Sequence, residues 1–170
     1  MDPKDRYLHL SKKKIRHLKD IEQNKFPNYI PKGLWISRND KWINYIDENA
    51  NKDLFGMIYQ VNLLNEVTTK LDDTNKILKI GTQKKLDKFI LKYGKEDKIN
   101  WINVSNDFNG ILFEPFLKDL DKEKYKWYFH LCVSSGCIWK KESMEINFLY
   151  EHKKYRAVRF NTEIQSKIVD

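Results

Sequence analysis

A chain of 170 residues, 41% of them hydrophobic and 33% charged, is long enough for one domain with a real core and needs no disulfide or metal to hold it. It contains no apolar run of membrane-spanning length, and Met1-Asp2-Pro3-Lys4-Asp5 opens polar and charged, without the apolar stretch that export requires. The net charge of +8 raises nucleic acid as a partner, although few alanines (Ala50 and Ala157) and abundant Lys, Asn and Ile trace part of that charge to AT-rich codons.

Tyr7-Leu8-His9-Leu10-Ser11 alternates as a strand does, with Leu8 and Leu10 toward the core and Tyr7, His9 and Ser11 on the other face. Residues 12–26 read as a helix capped by Ser11, because Ile15, Leu18, Ile21 and Phe26 form one stripe between charged residues. Pro27 and Pro31 punctuate the loop that follows. Gly33-Leu34-Trp35-Ile36-Ser37 is a second strand, with Leu34 and Ile36 facing opposite to Gly33, Trp35 and Ser37. Asn39 and Asp40 suit the cap of a helix that carries Trp42, Ile43, Tyr45 and Ile46 on one side. Trp35 and Trp42 then stand near each other, either as core or as the walls of a pocket for a flat ligand.

Residues 54–64 give the longest strand signal, with Phe55, Met57, Tyr59, Val61 and Leu63 on one face. A polar loop over 68–75 leads to a short strand at 77–80, ended by Gly81. Residues 84–93 form a helix with the stripe Leu86, Phe89, Ile90 and Tyr93, stopped by Gly94. A short helix over 99–107 has Trp101, Val104 and Phe108 on one face, and Asn109-Gly110 then turns the chain into a strand at 111–113. Residues 127–133 read as a strand with His130 and Cys132 on one face among apolar neighbours, which favours inert core over a thiol with a base. Ser134-Ser135-Gly136 breaks it before a strand at 137–139. A hairpin over 145–150 and 155–160 follows, and 161–170 is an end suited to fraying.

Cys132 and Cys137 are expected as buried reduced thiols, and they lack the further ligands a zinc site needs. No Gly-x-Gly-x-x-Gly, no Walker loop and no Gly-x-Ser-x-Gly elbow occurs. Strands and helices mix without strict alternation, which predicts a single α+β domain over 1–170, with its core at about 7–160.

The order of these motifs carries a resemblance. A His9-x-Ser11 strand, a helix, a Gly33-Leu34-Trp35 strand and a helix bearing Trp42 and Tyr45 together resemble the front half of ADP-ribosyltransferase-like domains. Trp101, Phe108-Asn109-Gly110-Ile111 and Ser135-Gly136-Cys137-Ile138-Trp139 are similar to a pattern of small bacterial and phage proteins. The resemblance covers about residues 7–139. It implies a mixed, mostly antiparallel, split sheet with flanking helices, and NAD as a substrate in a cleft beside the first two strands. His9 would bond the ribose with Ser11 alongside. Trp35 would stack on nicotinamide, with Ser37 on its strand and Tyr45 or Trp42 as the second aromatic. In active relatives an acid stabilises the charge that develops as nicotinamide leaves. The matching stretch, 129–139, has no acid, and Ser134 and Ser135 stand in its place. Asn109 likewise stands where the small-protein pattern has Asp. Glu114 is the nearest carboxylate and becomes the catalytic candidate. The implied protein is an enzyme or a catalytically silent NAD-binding relative.

Two other classes fit the residues. One is a basic nucleic-acid-binding protein, with Trp35, Tyr29 and Trp127 stacking bases and lysines meeting phosphates. The other is a structural or interaction protein without a ligand. All share one expected setting: soluble, apart from any membrane, in a cytoplasm or, for a large DNA virus, in host cytoplasm or virion.

Overall fold

Alternating apolar residues build one mixed sheet, which organises the rest of the chain. The computed structural model describes residues 6–48 and 56–151. The strands are β1 (Tyr7–Ser11), β2 (Leu34–Arg38), β3 (Met57–Leu63), β4 (Val67–Thr68), β5 (Ile77–Ile80), β6 (Gly94–Lys95), β7 (Lys98–Ile99), β8 (Gly110–Phe113), β9 (Ser135–Ile138) and β10 (Met144–Glu151). The helices are α1 (Lys41–Glu48), α2 (Gln83–Tyr93) and α3 (Trp101–Asp107). Eight strands form the main sheet in the order β10-β3-β1-β2-β9-β8-β5-β4, and β6 and β7 make a separate hairpin. Pairing is antiparallel from β10 through β8 and parallel from β8 through β5 to β4. The molecule is thus α+β with a mostly antiparallel sheet. Parallel neighbours need a long crossover, and the segment from α2 to α3 supplies it between β5 and β8.

Each face of the sheet buries its own cluster. One face sets Leu34, Ile36, Tyr59, Val61, Ile77, Leu112 and Ile138 against Ile15 and Leu18. The other carries the helices. Leu78, Ile80, Ile111, Phe113 and Cys137 lie under α2, α3 and the aromatics Trp127 and Tyr128. Leu8, Leu10 and Ile58 lie under Ile43 of α1. Trp101 and Trp139 are buried, and their indole N–H groups donate to Asn28 O and Phe108 O at 3.0 and 2.7 Å.

Three segments differ from the sequence reading. Residues 12–26 form no helix; they run as an extended strap, with Ile15 and Leu18 on the first face and Ile21 packed against the cluster that lies under α2 and α3. Its apolar anchors Ile15, Leu18 and Ile21 recur every third residue, which suits an extended chain of three residues per turn as well as a helix. Tertiary bonds then decide: Ile15 N–H donates to the Tyr59 hydroxyl at 2.8 Å and Ile21 N–H to Trp139 O at 2.9 Å. Residues 127–133 are not a strand but a turn and a 3-10 segment, Tyr128–Leu131. A strand sends neighbours to opposite faces, whereas Trp127 and Tyr128 both enter one core, edge to face at 5.7 Å. Cys132 is consequently exposed rather than buried, while Cys137 is buried. Gly94 ends α2 with φ of −70° rather than in a left-handed cap, and a Cβ there would lie 2.5 Å from Ile90 O. Phe55, the side chain of Ile46, the second hairpin strand at 155–160 and the tail at 161–170 lie outside the described residues.

Candidate functional site

β1 pairs with β3 along all five of its residues, but with β2 only through Tyr7↔Arg38 and Leu8↔Ser37. Past Leu8 the β1–β2 ladder stops, and the His9 side chain spans the gap. Its Nδ1 lies 2.7 Å from Trp35 O. A carbonyl only accepts, so Nδ1 carries the proton. Burial disfavours the charged ring and lowers its pKa to about 4, against the opposing effect of the Trp35 bond. Ser11 spends its hydroxyl locally, donating to Lys13 O at 2.7 Å.

The pleat places the other candidates on the opposite face. Trp35 lies against Trp42 of α1, ring centroids 6.4 Å apart and 21° between planes. Ser37 pairs across from Leu8, which packs under α1, and its buried hydroxyl has no hydrogen-bond partner among the described residues. A hydrogen bond with the Cys132 thiol holds the Tyr45 phenol above its usual pKa. The structure therefore brings Trp35, Ser37, Trp42 and Tyr45 to one face and leaves His9 and Ser11 on the other. One backbone contact, from His9 to Trp35 O, joins the two groups. Trp42 stands beside the Trp35 ring, which is half-buried.

Glu114 directly follows β8, and its side chain is only 10% exposed. Its Oε2 accepts from the Tyr7 hydroxyl at 2.9 Å and lies 3.7 Å from Lys79 Nζ, and its Oε1 lies 3.1 Å from Arg38 Nε. Both oxygens are thus engaged by groups from β1, β2 and β5. That arrangement fixes a carboxylate in place more than it frees one for proton transfer. The aromatics suggested for base stacking are occupied too. Trp127 is buried, Trp35 is half-buried beside Trp42, and Tyr29 stacks on His130 at 4.6 Å with Lys98 Nζ 5.5 Å from its ring centroid.

The sequence reading passed over a different feature. A half-open cavity of about 450 Å³ lies between α2 and the loop after β4, with β5 at its floor. That volume is ordinary for a small-ligand site. Lys70, Lys79, Lys85, Lys88 and Lys92 line it. Lys85, Lys88 and Lys92 stand at i, i+3 and i+7, so a single helix face presents all three. Lys92 is held by Asp107 at 2.9 Å and by Leu71 O at 3.0 Å, which ties the loop to the helix. Lys79 is shared with Glu114. Lys70, Lys85 and Lys88 have no ion-pair partner within 4.0 Å among the described residues and carry the surplus charge.

No family model, curated protein or solved structure matches the chain. The helical spacing of three lysines was visible in the sequence. Their cavity was not, because the loop that forms its other wall is brought there by the parallel pairing of β4 with β5.

Proposed function

We propose that this protein binds nucleic acid through the lysine-lined groove beside α2. The observation that supports this is the stripe Lys85, Lys88 and Lys92 with Lys70 facing it across the cavity. Seven residues of helix advance about 10 Å, the axial span of about three phosphates on one strand of a duplex. Each lysine that neutralises a phosphate releases a counterion and steepens the salt dependence of binding. Anisotropy titrations of a labelled oligonucleotide between about 50 and about 200 mM salt test the reading. The double variant Lys85→Gln, Lys88→Gln is expected to weaken binding and to lower the log–log salt slope by roughly 1.5. No binding at the lowest salt ends the proposal.

A second reading places NAD at the β1–β2 junction. It draws on one observation: His9 crosses the gap between the strands and meets the backbone of Trp35. With Glu114 fully engaged, this version favours binding without transfer. A ligand that binds only the folded state raises the melting temperature by mass action. Millimolar NAD is expected to raise it in the native protein and not in His9→Ala. Superimposed curves with and without NAD in the native protein dismiss this reading.

A further inference from the structure

The strap over 12–26 is basic along its length. With Ile15, Leu18 and Ile21 turned inward, Lys12, Lys13, Lys14, Arg16, Lys19 and Lys25 stand exposed. None of the six has an ion-pair partner within 4.0 Å among the described residues. The strap's two acids do not cancel them. Asp20 is engaged by Lys140 Nζ at 3.5 Å and by Lys141 N–H at 2.9 Å, which leaves Glu22 against six cations. At the end of the strap Phe26, which a helix would have buried, is 81% exposed. The loop that follows it is pinned. Gln23 closes the neck, accepting from Lys32 N–H at 2.9 Å and donating to Lys32 O at 2.8 Å. Asn28 holds the far side, donating to Ile99 O at 3.0 Å and accepting from Ile99 N–H at 3.1 Å. A ring already held in place loses little freedom when a ligand meets it. A basic track that ends in an exposed aromatic face suits single-stranded nucleic acid, whose phosphates follow the cations while a base stacks on the ring. The strap also turns, from the first face at Ile15 and Leu18 to the cluster under α2 and α3 at Ile21. A flexible strand follows such a course, whereas a flat lipid surface or a stiff duplex meets only part of it. Bases inside a duplex are moreover stacked on each other, and freeing one costs energy.

We infer that single-stranded nucleic acid lies along the strap with one base stacked on Phe26. This surface is distinct from the α2 groove and binds with or without it. Anisotropy titrations between about 50 and about 200 mM salt use labelled oligo(dT) and a duplex of equal length. Sedimentation with phosphatidylserine vesicles is run in parallel. The variants are Phe26→Leu, Phe26→Trp, the triple Lys12→Gln, Lys14→Gln, Lys19→Gln, and the groove pair Lys85→Gln, Lys88→Gln. All three strap lysines and Phe26 are exposed, so these substitutions leave the fold in place. Oligo(dT) is expected to bind more tightly than the duplex. Phe26→Leu, apolar but without a ring, is expected to lose about tenfold in affinity with the salt slope unchanged, and Phe26→Trp to keep it. The strap triple is expected to lower the log–log salt slope by roughly 2, since each phosphate contact to a single strand contributes about 0.7. Native affinity in both Phe26→Leu and the strap triple, with the groove pair still weakened, overturns the strap site and leaves the groove standing. Tighter binding of the duplex overturns it in the same way. Sedimentation with vesicles while oligo(dT) stays unbound overturns it in favour of a lipid surface. No binding of either oligonucleotide at the lowest salt overturns both the strap site and the groove.

Discussion

His9 spends its Nδ1 proton on the Trp35 carbonyl, and burial denies it a second proton until the pH is low. Its folded pKa is about 4, against 6.5 when unfolded. As pH falls, the unfolded chain therefore takes up the proton first. The stability due to neutral His9 is complete above about pH 6.5 and is lost as the pH falls toward 4. The full loss amounts to about 3 kcal/mol. Asp20, Asp87 and Asp107 also have pKa values lowered by hydrogen bonds and add their own acid sensitivity. A comparison with His9→Asn isolates the histidine, because the amide keeps a donor for Trp35 O and does not titrate. Urea unfolding from pH 7 to pH 4 is expected to show the native protein losing about 3 kcal/mol more than the variant. Parallel losses would mean that His9 stays solvated. At this scale the sequence was readable in part. Alternation placed His9 and Ser11 together on β1, but the ring's partner is a backbone carbonyl of another strand, which no side-chain pattern marks.

The elements divide by whether their pattern has one solution. α2 carries Leu86, Phe89 and Tyr93 on a buried stripe, and Thr82 caps it by accepting from Lys85 N–H. No strand satisfies that spacing, so the sequence was decisive. The strap over 12–26 has two solutions, and its contacts with Tyr59 and Trp139 choose the extended one. Proline separates them. In a helix interior it removes a bond and clashes, at about 3 kcal/mol. Lys19 is exposed, and its N–H makes no backbone hydrogen bond among the described residues. Lys19→Pro is therefore expected to cost less than about 1 kcal/mol by urea unfolding. A loss near the helical figure would reinstate the helix. The segment 127–133 failed for a related reason. Its apolar alternation is real, but two adjacent aromatics are buried in one core, and their packing against Phe89 and Phe113 outweighs strand pairing.

Across the whole molecule, Glu114 ties β8 to β1, β2 and β5 through Tyr7, Arg38 and Lys79. Neutralising it leaves two cations facing each other without their shared counter-charge. Glu114→Gln is expected to cost about 1–3 kcal/mol, because the carboxylate is largely buried while its cationic partners keep some solvent. Urea unfolding checks this, and a change below about 0.5 kcal/mol would return Glu114 to the pool of free carboxylates. No described helix is long and apolar enough to cross a membrane, and no group of three or more His, Cys, Asp or Glu among the described residues could hold a metal ion. By itself the sequence determined the α+β class, most of the strands, the helices α1 to α3 and the nearness of Trp35 to Trp42, because each follows from spacing between neighbours along the chain. Only the tertiary structure decided that the strap is extended, that Glu114 is a four-strand tie, and that Lys70 faces Lys85, Lys88 and Lys92 across a cavity. Those facts depend on which strands pair, and pairing is fixed by burial of the two sheet faces together, which no local stretch of sequence contains.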